Sequence, residues 1–220
     1  SAIAAAHEWI APSLRGQAKG SRAFTSWDED AITMAVEAAR DALGGRADKV
    51  RSVRLASTNL PYADLQNAAI VARASGAAGD VATSDAAGSQ RAGTSALLQA
   101  LKGNEASLVI GSDNPFAKPV SAQEMSFGAG AAAFVVSSED IVARLVGSAS
   151  VSNVFVDHFR SADASGDYVW EERWVRDEGY AKIVPAAVNA ALADAQLAIG
   201  DIAHFVMPSY LKGAADAVAR

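Results

Sequence analysis

Apolar positions along the chain switch repeatedly between a helical spacing and a strand spacing. Ile32, Ala35, Val36, Ala39 and Leu43 recur at a period near 3.6 behind the acids Asp28, Glu29 and Asp30, and Gly44-Gly45 follows. That pattern predicts a capped amphipathic helix. Residues Val50 to Ser57 alternate as a strand does, Thr58-Asn59-Leu60-Pro61-Tyr62 reads as its loop, and Asn67 to Ala74 reads as a second helix. Small residues Ala86, Ala87, Gly88 and Ser89 lead into an apolar periodic run from Ala92 to Leu101, which predicts a tight turn opening a helix. Ser107 to Gly111 reads as a short buried strand, with a polar loop after it through Lys118. Gly128-Ala129-Gly130 opens a strand from Ala131 to Ser137, expected to pair with a strand from Ile141 to Ser152 across a short loop at Ser138-Glu139-Asp140. Pro185 to Leu197 reads as a helix with Pro185 in its first turn, and Ala203 to Met207 as a strand ended by Pro208. A short helix from Ala2 to Ile10 precedes Pro12, and a last helix is only beginning at Arg220. Such alternation predicts an α/β layer built on a mixed sheet.

Composition narrows the class. The 220 residues are half hydrophobic and one-fifth charged, which marks a globular chain long enough for a sizeable core. A net charge of −6 with interspersed signs argues against nucleic acid as the main partner. No apolar run has the length of a membrane span, and Ser-Ala-Ile-Ala-Ala-Ala-His lacks the plan of a secretory signal, so the cytoplasm is the expected compartment. The chain has no cysteine, which excludes a disulfide framework, a thiolate metal site and a cysteine nucleophile. No His, Asp and Glu set has metal-ligand spacing, so no metal is expected.

Two stretches carry candidate chemistry. Gln90 sits in the small-residue turn at the positive end of the following helix, where an anion or a developing negative charge is favoured. The same turn is also what an ordinary strand-to-helix connection packed in a core looks like. The run from Val154 to Glu178 is the densest aromatic and charged cluster, holding Asp157, His158, Arg160, Asp167, Tyr168, Trp170, Arg173, Trp174 and Arg176. It reads either as a binding segment or as a cover over apolar surface. Asp157, His158 and Tyr168 of this run, with Tyr180 just after it, are candidate acids and bases, although a solvated or ion-paired role suits His158 as well. His204 and His7 read as structural residues.

Taken together, these pieces resemble the thiolase superfamily, most closely the 3-hydroxy-3-methylglutaryl-CoA (HMG-CoA) synthases and ketoacyl synthase III. Asp28-Glu29-Asp30 with Ala35-Val36-Glu37-Ala38-Ala39 is similar to the family's first helix, and Pro61-Tyr62 to the loop before its second. Arg91-Ala92-Gly93-Thr94-Ser95-Ala96-Leu97 resembles the turn after its nucleophile, and Gly128-Ala129-Gly130-Ala131-Ala132-Ala133-Phe134 its glycine-rich hairpin. Tyr180-Ala181-Lys182 and His204-Phe205-Val206-Met207 resemble the opening of its second half. The likeness covers residues 25 to 220. It implies a thiolase-like α/β fold of mixed five-stranded sheets with helices on both faces, a dimer, and acyl-CoA bound at the Gln90 turn. It also implies an N-terminal segment at 1–24, a first half at 25–140 and the incomplete beginning of a second half at 141–220. The chain is then either a fragment of a longer protein or completed by a partner.

The departures from the family bear on chemistry. The family's cysteine, glutamate and histidine positions fall on Gln90, at or near Thr58, and on Pro208. A carboxamide is not a useful nucleophile, threonine cannot replace a carboxylate base, and proline has no side-chain chemistry. The resemblance therefore implies an acyltransferase-like, acyl-CoA-associated protein of lipid metabolism without cysteine-dependent condensation, needing no cofactor beyond a CoA thioester as substrate. The alternatives are a non-catalytic partner subunit of a thiolase-type dimer, or a cysteine-free decarboxylase or C–C lyase in which the Gln90 amide stabilises an enolate. Arg91, Gly93, Gly128, Gly130 and Lys182 are the candidate substrate contacts, with Arg22 a further cation for CoA phosphates. Some relatives work with an OB-fold partner domain, which the resemblance also brings into view. Neither nucleic acid nor a membrane is an expected partner.

Overall fold

A computed structural model describes residues 2–17, 19–209, 211 and 213–219, so Arg220, where the last predicted helix was to be running, lies outside the described residues. The chain forms two compact units, Ser1–Val142 and Ala143–Arg220. In the first unit the elements run α1 (Ala2–His7), α2 (Ala31–Leu43), β1 (Ser52–Ala56), α3 (Asn67–Ala74), β2 (Ala82–Ala86), α4 (Ala92–Leu101), β3 (Ser107–Asp113), α5 (Ala122–Ser126) and β4 (Gly130–Val136). The sheet order is β2-β1-β3-β4. β1 pairs in parallel with both β2 and β3, and β4 runs antiparallel to β3. The mixed α/β sheet expected from the alternation is present, with four strands among the described residues in place of five.

Topology explains why helices cover both faces. The chain moves outward from β1 to β2 through α3, then back past β1 to β3 through α4. Two right-handed crossovers in opposite directions put their helices on opposite faces. Accordingly Val53, Leu55, Leu108 and Ile110 pack with Ala35, Val36 and Ala39 of α2 and Ala68 and Val71 of α3. Across the sheet, Ala56 and Val109 pack with Ala92, Ala96 and Ala100 of α4, where alanines let helix and strands approach closely.

Local signals set the helix ends. Asp30 accepts the N–H groups of Ile32 (2.9 Å) and Thr33 (2.8 Å), while the Thr33 hydroxyl accepts the Asp30 N–H (2.8 Å), closing a capping box. Gly44 ends α2 at φ 51°, the left-handed conformation that glycine adopts without strain. The α3 cap comes from elsewhere in the chain. The Asp85 carboxylate on β2 accepts Asn67 N–H (2.8 Å), Asn67 Nδ2 (2.9 Å) and Ala68 N–H (2.7 Å).

Three expected features before residue 153 differ. The Ala2 to Ile10 helix stops at His7 and continues as a turn. β4 pairs with β3, and the expected hairpin across 138–140 does not form. Residues 141–152 contain no strand, and Val142 is fully exposed. Alternation alone makes no strand without a neighbouring edge to close its hydrogen bonds.

The second unit holds a two-stranded antiparallel ribbon of β5 (His158–Phe159) and β6 (Tyr168–Val169). It continues through α6 (Glu172–Trp174), a π-helical turn (Val175–Tyr180), α7 (Ala181–Ala195) and α8 (Ala214–Val218). Pro185 lies inside α7 rather than in the first turn expected for it. α7 continues directly from the π-helical turn, so the missing N–H of Pro185 removes one bond, to Ala181, from the interior of that helical run. The predicted strand at 203–207 is not formed, with Val206 87% exposed and no neighbouring strand beside it. Rings of Phe159, Tyr168, Trp170, Trp174 and Phe155 form a continuous ladder with centroids 4.5 to 5.8 Å apart. Gly179 permits the close seat of Phe155, because a Cβ there would lie 2.5 Å from the ring. Among the described residues no helix is long and apolar enough to cross a membrane.

Candidate functional site

The three parallel strands end at one edge of the first unit's sheet. The chain leaves β1 toward the α3 face and β2 toward the α4 face, so the loops after them head to opposite faces, the arrangement beside which open α/β sheets bind ligands. Thr58 is in the loop after β1, and Gln90 is in the turn after β2. Gly88 makes that turn at φ 83°, Ala92 N–H donates to Ser89 O (2.9 Å), and Gln90 is exposed. Arg91 is the exposed cap residue of α4 and gives its first turn no side-chain hydrogen bond. Gly93 lies in that first turn, half-buried.

A carboxylate stands beside Thr58. Asp113, the last residue of β3, accepts at Oδ1 the Thr58 N–H (2.7 Å), the Thr58 hydroxyl (3.1 Å) and the Ser57 hydroxyl (2.9 Å). Asn59 and Asn114 tie the same two loops together, Asn114 N–H donating to Asn59 Oδ1 (3.2 Å) and Asn59 Nδ2 to Asn114 O. Sequence reasoning missed Asp113. The available signal was an aspartate ending a strand, matched to a Ser-Thr-Asn run of donors ending another.

The two glycines nominated beside this edge separate. A Cβ on Gly128 would meet Ala23 O at 3.3 Å and Arg22 Cβ at 3.5 Å, and Ala129 N–H donates to Ala23 O (3.0 Å). Backbone approach to residues 22–23 therefore accounts for Gly128. Gly130 has open space where its side chain would be. Arg22 lies over the Phe24 ring at 4.5 Å.

In the second unit the structure brings His158 and Tyr180 together around Asp157. His158 Nδ1 is 2.8 Å from Asp157 Oδ1, and the Tyr180 hydroxyl donates to Oδ2 at 3.2 Å. This contact fixes the orientation of the imidazole through Nδ1. Tyr168 is instead part of the ring ladder. Lys182 pairs with Glu178, four residues before it, and Pro208 is exposed in irregular chain. Among the described residues no group of three or more His, Asp or Glu side chains could hold a metal ion.

The Asp157–His158 pair titrates away from ordinary values. The hydrogen bond to Asp157 raises the His158 pKa, outweighing burial. For Asp157 burial acts upward, but the His158 hydrogen bond and charge and the Tyr180 hydroxyl together hold it below the usual carboxylate value. A raised histidine contributes stability that is fully present below about pH 6.5 and lost as pH rises through its folded pKa. A lowered aspartate contributes stability above about pH 3.9 that is lost as pH falls through its folded pKa. The unit is thus expected to gain most from this pair at mildly acidic pH. Proton NMR of the His158 ring should show a midpoint above the free-histidine value, and Asp157→Asn should bring it down. A midpoint at or below the free value would refute the pairing.

No family model matches the chain. It is 36% identical over 173 residues to the HMG-CoA synthase of Methanocella arvoryzae, an alignment covering 75% of this chain and 49% of that protein. It is 37% identical over 149 residues to the HMG-CoA synthase of Pyrococcus furiosus, covering 63% and 43%. The 3-oxoacyl-(acyl carrier protein) synthase III of Pseudomonas aeruginosa superposes with a TM-score of 0.81 at 19% identity, over 99% of this chain and 72% of that one. An HMG-CoA synthase complexed with CoA superposes with a TM-score of 0.72 at 17% identity, over 90% and 51%. In sequence the chain is similar to the HMG-CoA synthases, and in fold to synthase III. Its fold is thiolase-like, and it spans about half the length of the curated relatives it matches. Unlike a cysteine-dependent synthase, this thiolase-like chain has no thiol anywhere.

Proposed function

We propose that this chain is an acyl-CoA-associated, acyltransferase-like thiolase-fold protein that works without cysteine-dependent condensation. The observation that carries the reading is the shared end of two neighbouring parallel strands. The Thr58 loop follows β1 and the Gln90 turn follows β2, in a chain without cysteine. A glutamine at such a turn supplies an NH2 donor next to backbone N–H groups, a set suited to an enolate or thioester oxyanion rather than to acyl transfer through a thiol. Decarboxylation of a malonyl thioester or cleavage of a β-hydroxyacyl-CoA suits that set. Arg91, Gly93 and Gly130 border the proposed thioester site. CoA is substrate here, and no further cofactor is required.

A second reading is a non-catalytic subunit of a thiolase-type dimer. It is favoured by the outer strand β4, where Phe134 is 56% exposed. A homo- or heterodimer, an OB-fold partner domain, a cytoplasmic location and a place in lipid metabolism all go with the acyl-CoA reading.

The test is mass-spectrometric turnover of acetyl-, acetoacetyl-, malonyl- and β-hydroxyacyl-CoA by the chain with whatever protein co-purifies. Gln90→Ala is expected to lower turnover about 10²- to 10³-fold, as loss of one oxyanion donor does. Turnover indifferent to Gln90 would refute its role, and absence of turnover with a partner retained would favour the supporting subunit.

A further inference from the structure

The sheet of the first unit has two edges, and they are finished differently. β2 is five residues long and partly engaged, because Gln66 Nε2 donates to Thr83 O (2.8 Å) and Asp85 caps α3. β4 forms the other edge, seven residues from Gly130 to Val136 in continuous register with β3, with no charge, proline or bulge among them. Charges, prolines and bulges are the devices that ordinarily keep an edge strand from pairing. Alternate residues of β4 turn their N–H and C=O groups away from β3, and among the described residues no further backbone bond takes them up. Ala133 and Val135 pack toward the α2 and α3 core, whereas Gly130, Ala132 and Phe134 are exposed on the opposite face.

We propose that β4 is the edge at which two copies of this chain join, strand to strand and antiparallel, into one continuous sheet. The pairing does not depend on the acyl-CoA reading. A twofold axis through Ala133 sets its register, and all seven residues then face a counterpart. Ala132 stands opposite the partner's Phe134, Ala131 opposite the partner's Val135, and Gly130 opposite the partner's Val136. Every large side chain meets a small one, and the axis repeats each match on its other side. On the exposed face the partner strand covers both Phe134 rings. Charge fits the same register. Beyond the strand, Ser138 of one copy comes level with Gly128 of the other, and the exposed acids Glu139 and Asp140 follow it. Beside Gly128 stands Arg22, whose Cβ lies 3.5 Å from where a Cβ on Gly128 would be. Its Nη1 is buried with no hydrogen-bond partner among the described residues. The acids of the second copy bring acceptors to a guanidinium that is short of them.

Sedimentation velocity of the full chain over a range of concentrations measures the association. Wild type is expected to pass from monomer to dimer as concentration rises. Phe134→Lys, a change at an exposed position, sets a charge against the partner's Ala132 and is expected to raise the dissociation constant about 10-fold or more. Arg22→Glu brings like charges together and is expected to weaken the dimer too. Combining it with Glu139→Arg reverses the pair and is expected to recover the association. The charge reversal tests the register independently of Phe134. Wild type that stays monomeric at every concentration overturns the proposal. A dimer indifferent to Phe134→Lys overturns it as well, because the copies would then meet through another surface. A dimer weakened by Arg22→Glu and not recovered by Glu139→Arg overturns the register, and the pairing with it.

Discussion

Ile110→Ala is expected to lower the unfolding free energy of the first unit by about 2–5 kcal/mol, the usual range for truncating a fully buried aliphatic side chain. Ile110 is 0% exposed on β3, between the Leu55 strand and β4, and packs in the cluster formed with α2 and α3. The loss combines the transfer energy of the removed carbons with the cavity left among neighbours held rigidly by the sheet. Ile110→Val should cost only about 0.5–1.5 kcal/mol, so the ratio of the two separates cavity formation from general damage to the strand. Urea titration followed by circular dichroism measures both. Equal losses would mean that the β3 core is not packed as described. The position also bears on function, because Ile110 lies three residues before Asp113 on the same strand.

Asp85→Ala is the second large effect, expected to destabilise the unit by about 2–4 kcal/mol. One carboxylate satisfies three donors at the start of α3, and Asn67, which supplies two of them, is 1% exposed. Alanine leaves those donors buried without partners, at about 1–3 kcal/mol for a buried unsatisfied group, and also removes a negative charge from a helix N-terminus. Asp85→Asn keeps an acceptor oxygen and should recover part of the loss. Thermal unfolding of the pair of variants measures it, and equal melting temperatures for wild type and Asp85→Ala would refute the cap. Asp85 immediately precedes Ala86, so its loss should also loosen the turn that carries Gln90.

Much of the first unit was legible because its signals are local. The end signals of α2 are adjacent in the chain, a cap at Asp30 and a left-handed glycine at Gly44. The α3 boundaries at Asn67 and Ala74 followed from periodicity, as did α4 from Ala92 to Leu101. The turn carrying Gln90 was visible as a run of small residues. The same local reading failed wherever pairing decides. Residues 141–152 and 203–207 read as strands from their apolar content, but a strand exists only when a neighbour closes its hydrogen bonds. β4 found β3 as its partner by three-dimensional adjacency, which alternation does not encode.

The candidate site divides in the same way. Residue types and their order were enough to exclude thiol chemistry, because a missing cysteine is missing in any fold, and to place Gln90 and Thr58 in loops after strands. Whether those loops share an edge depended on β1 and β2 running parallel, a long-range pairing. Asp85 and Asp113 looked in the sequence like ordinary polar residues ending strands. Their roles come from donors 17 to 56 residues away, brought within hydrogen-bond distance by the sheet. Asp157, His158 and Tyr180 were nominated by clustering alone, and folding selected among them by bringing a tyrosine 23 residues distant onto the same carboxylate. Composition and short-range periodicity act through the chain's own neighbours, so they can be read from it directly. Partners distant in sequence become partners only once strand pairing and core packing have closed the intervening loops.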